Sequence, residues 1–149
     1  MYEAKGSELV GLMGDIPPQA KTVGSATSGW IDIGEAHRIL ALIMIGAIPS
    51  GSPAATVDAK LQQATSSGGA NAKDITGAAI VQHVYASGTD KQALINVASE
   101  QLDVNGGFNY VQLSITVGGA TTPIAGLVLN TTPRDLAVPQ AASVTQINN

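Results

Sequence analysis

Residues 110–117 read YVQLSITV. Val111, Leu113, Ile115 and Val117 fall on one side of a two-residue period, and Gln112, Ser114 and Thr116 fall on the other. Successive side chains of a strand point to opposite faces, so this stretch predicts a strand with one face in a core and one in water. That arrangement belongs to antiparallel sheets. Gly118 and Gly119 close the strand, and the turn-forming run DVNGG at 103–107 precedes it.

The same signal recurs on both sides. Residues 56–62, TVDAKLQ, put Val57, Ala59 and Leu61 on one face and Asp58, Lys60 and Gln62 on the other. Residues 91–99, KQALINVAS, and 124–129, IAGLVL, read as further strands, as do 79–85, AIVQHVY, and 28–33, SGWIDI, with Trp30 packed at the edge of a sandwich. The run HRILALIMIGAI at 37–48 is apolar in both phases from Ile39 to Ile45. Its Leu, Ala and Met also suit a helix. The closing cluster Pro49-Ser50-Gly51-Ser52-Pro53 and the β character of the remainder favour a central strand. Residues 64–72, ATSSGGANA, are a loop. Seven or eight short strands at roughly ten-residue spacing, with glycine-rich turns and no internal repeat, predict an all-β antiparallel sandwich or barrel.

The ends read differently. Gly6, Gly11, Gly14, Pro17, Pro18 and Gly24 interrupt short apolar pieces, so residues 1–26 are expected to form an extended N-terminal arm. Residues 131–149 are polar, carry Pro133 and Pro139, and read as a C-terminal tail. The sandwich domain is expected over 27–130. The start of the chain, MYEAKGSELVGLMGDIPP, has neither a basic segment nor a long apolar one and does not read as a signal peptide. The most apolar run, 39–48, is half the length of about 20 residues that a spanning helix needs.

Composition narrows the function. The chain of 149 residues is 44% hydrophobic and 12% charged, against about 25% charged in an average soluble domain. Its surface must rest on Ser, Thr, Asn, Gln and Gly, which cost less to desolvate than ions. Such a surface suits contact with other proteins. Net charge is −4 and the seven cations are scattered, so neither nucleic acid nor an anionic membrane surface is an expected partner. With no cysteine, disulfides, thiolate chemistry and cysteine-based zinc sites are excluded.

No catalytic, cofactor-binding or metal-binding residue is assigned. His37 and His83 are the only histidines and lack the close spacing a metal-binding β-barrel uses. The serine-rich segments 24–29 and 65–69 lack the nucleophile-elbow pattern. Asp58, Asp74, Glu100 and Asp103 show no paired-carboxylate signature. Asp58 and Lys60 are expected to form an exposed pair on one strand face, worth little. Residues 105–108, NGGF, are not a phosphate loop. Trp30, Tyr85, Phe108 and Tyr110 are the candidate contributors to any glycan-stacking platform.

Four segments carry a family resemblance: SGWIDI at 28–33, VDAKLQQAT at 57–65, AKDITGAAI at 72–80 and NVASEQLDVNGGFNYVQLSITVGG at 96–119. Together they resemble small proteins of tailed bacteriophages and prophages encoded near the major capsid protein. The resemblance covers about residues 28–130. It implies a β-sandwich of jelly-roll form serving as a capsid cement or decoration protein. It further implies the major capsid protein and further copies of the chain, as dimer or trimer, as partners. The implied location is the outer surface of the virion, after synthesis in the bacterial cytoplasm. Other expectations are a head–tail completion or tail protein, or a glycan-binding sandwich on the capsid.

Overall fold

Val111, Leu113, Ile115 and Val117 are withdrawn from solvent, as their alternation requires. In the computed structural model, which describes residues 10–34, 36–131 and the backbone of 144–148, they line one wall of a two-layer sandwich. The strands are β1 (Val10–Lys21), β2 (Gly24–Thr27), β3 (Ile31–Asp32), β4 (Arg38–Ile45), β5 (Thr56–Ala64), β6 (Lys73–Ala79), β7 (His83–Val84), β8 (Lys91–Ala98), β9 (Tyr110–Gly118), β10 (Thr122–Thr131) and β11 (Val144–Asn148). One sheet has the order β1-β10-β4-β8-β11 and the other β2-β9-β5-β6, with β3 also on β9 and β7 also on β5. The pairings are antiparallel, except that β11 runs parallel to β8.

The core lies between the sheets. The first contributes Ile39, Ala41, Ile43 and Ile45 from β4, Ala93, Ile95 and Val97 from β8, and Ile124 and Val128 from β10. The second contributes Val57, Ala59 and Leu61 from β5 and the four apolar residues of β9. The run at 38–45 is a strand in the middle of its sheet, buried at every second residue.

Four boundaries differ from expectation. The expected arm over 1–26 is corrected where it is described: Val10–Lys21 is an edge strand nine of whose residues are paired with β10, and Gly24–Thr27 pairs with β9. Glycine and proline suggested an arm because they are poor in central strands. An edge strand needs only one side of its backbone hydrogen-bonded, and β1 places Pro17 and Pro18 in an irregularity between Ile16 and Gln19. Residues 1–9 lie outside the described residues. The expected tail is corrected likewise: Thr131 still belongs to β10, and Val144–Asn148 adds a fifth strand beside β8, while 132–143 and 149 lie outside the described residues. The strand expected at 79–85 is displaced to Lys73–Ala79, with only His83 and Val84 resuming it. Residues 28–30 are loop, so the strand expected over 28–33 is reduced to Ile31 and Asp32.

Candidate interaction surfaces

The outward faces of the two sheets differ in chemistry. On the second sheet, Ser25, Asp58, Lys60, Gln62, Gln112, Ser114 and Thr116 alternate with core residues. Several of their polar groups are hydrogen-bonded within this face. Ser25 Oγ and Thr116 Oγ1 lie 2.8 Å apart. Lys60 Nζ donates to Asp74 Oδ2 at 2.9 Å, and Gln62 Nε2 donates to Asp74 Oδ1 at 2.8 Å. The expected Asp58–Lys60 pair is therefore corrected: the cross-strand Asp74 takes Lys60, and Asp58 accepts from Gln82 Nε2 at 2.9 Å. Residues two apart on a strand share a face but sit farther apart than cross-strand neighbours. The Lys60 ammonium, hydrogen-bonded to it, lowers the Asp74 carboxyl below its usual value.

On the first sheet the outward positions of β4 and β10 are mostly apolar, with Arg38 at the start of β4 and the exposed Asp15 of β1 opposite Leu127. Leu40, Leu42 and Met44 of β4 stand opposite Leu129, Leu127 and Ala125 of β10. On the other side Leu42 stands opposite Leu94 of β8. Leu12 of β1, opposite Leu129, prolongs the row and is 63% exposed. Asn96 and Gln92 border it on β8. Leu40, Leu42, Met44, Leu127 and Leu129 are half-buried. This face was legible in part: an antiparallel strand covered on one side should alternate, yet ILALIMI and IAGLVL are apolar in both phases. The second phase is the outward leucine face.

The free edges carry features that discourage pairing. β1 is irregular at Leu12/Gly14 and at Ile16/Gln19. β6 begins with Lys73 and Asp74 and bends at Gly77, φ +79°. Bulges and charges of this kind disfavour edge-to-edge association. The faces are the more suitable contact surfaces.

The candidate chemical groups do not converge. His83 is buried in β7, its Nε2 2.8 Å from the Gly88 carbonyl oxygen, a structural bond and not a base oriented by a carboxylate. His37 is exposed just before β4, on the other sheet. Among the described residues no three His, Asp or Glu side chains group as metal ligands. Asp103 caps its own turn by accepting from Gly106 N at 3.0 Å, and Lys73 donates to it at 2.7 Å. Hydrogen bonding to Lys73, and then to the Gly106 amide, lowers the Asp103 carboxyl. Glu100 is exposed in the preceding turn.

Among the described residues, the aromatic side chains do not form a platform either. Phe108 is buried beneath Lys73, whose ammonium is 4.0 Å from the ring centre. Trp30 packs on Gly69 of the 65–72 loop. Tyr110 stands at the Ala64 end of β5 and Tyr85 beyond the Thr56 end, one strand length apart. One shallow hollow, of about 380 Å³, lies beside Asp58, Lys60, Ile80 and Ser114. It is open and lacks an aromatic wall.

Comparison of the chain with protein-family models and with curated proteins returns no match.

Proposed function

We propose that this chain is a structural virion protein: a cement or decoration protein of jelly-roll form, binding across neighbouring major capsid subunits on the outside of a phage head. The observation that carries the contact role is the leucine-rich outward face of β10, β4 and β8, set against a polar face with internal hydrogen bonds on the other sheet. An apolar outer patch bordered by Gln92 and Asn96 on β8, with Asp15 and Arg38 at its margins, suits a protein-contact site. The jelly-roll reading is supported by the strand orders: within the two sheets, β1-β10-β4-β8 and β2-β9-β5-β6 follow a jelly-roll arrangement, with the chain passing repeatedly between them. The phage role rests on the resemblance of residues 28–130 to small virion proteins.

The action is mechanical. A subunit that binds the assembled lattice and not free capsid protein stabilises the lattice by mass action. Many copies on a symmetric shell add weak contacts into a strong restraint. Catalysis plays no part in this reading.

Copy number in purified particles tests it. Quantitative mass spectrometry should find on the order of hundreds of copies, as a shell lattice demands, whereas a ring at the portal would hold on the order of a dozen. Leu42→Lys with Leu127→Lys should lower occupancy on shells while leaving the polar-face variant Gln112→Lys bound. A dozen copies would transfer the chain to the head–tail junction; equal binding of all variants would remove the leucine face from the interface.

A further inference from the structure

We propose that β1 is an exchangeable strand, which leaves its own β10 and fills the same slot on a second copy of the chain. This is independent of the capsid reading, because it concerns the chain alone.

Three observations point to exchange. First, β1 is a removable element. Of its twelve residues only Ile16 is fully buried, and its one partner in the sheet is β10.

Second, the slot recognises a particular strand. Ile16 lies opposite Gly126 in the centre of β10. A side chain at Gly126 would begin 2.8 Å from Leu113 Cδ2 and 3.6 Å from Ile16 Cδ1. The missing side chain is thus a hole that the Ile16 knob helps to fill. Another copy of β1 carries the same knob, and the pairing is identical in cis and in trans.

Third, the connection has the character of a swap hinge. Thr22 and Val23 alone join β1 in one sheet to β2 in the other. Val23 is 64% exposed, and Gly24 follows at φ +130°. Short hinges between exchangeable elements favour swapping, since every strand contact is re-formed in the partner. The intramolecular form benefits from effective concentration, so exchange rises with the density of copies.

The absence of cysteine gives a direct test. Leu12 and Leu129 are register partners, at the separation a disulfide can bridge. Tagged Leu12→Cys protein is mixed with untagged Leu129→Cys protein at increasing concentration, incubated and oxidised. A parallel mixture pairs Val81→Cys, an exposed position on the other sheet, with Leu129→Cys to count random collisions. Circular dichroism of each variant verifies the fold. The expected result is a Leu12–Leu129 heterodimer on non-reducing gels at several times the yield of the control pair, increasing with concentration. Lengthening the hinge by three glycines should reduce that excess. A heterodimer yield equal to the control at every concentration overturns the proposal.

Discussion

The indole of Trp30 packs on Gly69 so closely that a Cβ there would lie 2.8 Å from Cε2 and in direct contact with Nε1. This joins the β2–β3 loop to the 65–72 loop, which is itself held by Thr65 N donating to Ala70 O and by Ser66 Oγ accepting from Ala70 N. Gly69 also sits at φ +80°. Gly69→Ala should therefore lose the ring's seat and strain the backbone, at a cost of about 1–3 kcal/mol. Trp30 is the only tryptophan. Its emission should shift to the red in the folded variant, and an unshifted spectrum with an unchanged melting temperature would refute the contact.

Gly119 and Gly77 separate backbone strain from crowding. Both have positive φ, +72° and +79°. At Gly77 a Cβ would meet nothing within 4 Å, whereas at Gly119 it would collide with the Ala54 carbonyl and lie 2.9 Å from Ala55 N. Gly77→Ala should cost about 1 kcal/mol, the left-handed penalty alone. Gly119→Ala should cost at least about 2 kcal/mol, since backbone cannot swing aside as a side chain does. Urea denaturation of the two variants side by side measures the difference.

The sandwich was legible because its walls are written in one phase: the inward residues of β5 and β9 are those that the alternation selects. The edges were not legible. β1 looked like an arm because Gly11, Gly14, Pro17 and Pro18 are poor strand residues, and local sequence does not reveal that the position is at an edge. The 79–85 error has a similar origin. Ile80 looked like strand core, yet it follows the strand end, donating its amide to Ala59 O at 2.9 Å, while Val81 is 77% exposed. Burial of Ile75 and Ala78 set the true β6, and their spacing of three across the Gly77 bend hid the period of two. Of the contact surface, the outward leucines were present as an apolar second phase in β4. Their continuity with Leu127 and Leu94 depended on register, which sequence does not supply.

Asp74 and Asp103 give the fold an acid limit. In each, hydrogen bonds from a lysine ammonium favour the ionised carboxyl, so the folded value lies below the ordinary 3.8. A depressed folded value means that the unfolded chain binds protons first. Stability from these groups is present above about pH 4 and is lost as pH falls through the lowered values. Both pairs are largely exposed, so solvent screening keeps their contribution small. The urea midpoint of Asp74→Asn should therefore fall less than that of the native chain between pH 5 and about pH 3. Parallel acid limbs would show that Lys60–Asp74 contributes nothing.

Ile16→Ala tests how β1 is held. Removing a buried isoleucine costs about 2–5 kcal/mol in a rigid core. Here the loss should fall on the edge first. Amide exchange in β1 and along the β10 side facing it should accelerate more than in β4, which retains both neighbours. Uniform acceleration across both sheets would mean that β1 opens only with the whole domain.

Val10 lies opposite Thr131, and this pairing has a consequence for synthesis. β1 pairs with a strand made more than a hundred residues after it. At about 5–20 residues per second, β1 waits roughly 6–24 s for its partner. Closing so long a loop is slow compared with local pairing. During that interval an incomplete chain displays Ile16 without a seat. Neighbouring ribosomes on one message present the same strand. The order of translation, as much as the final fold, therefore governs which molecule each β1 meets first.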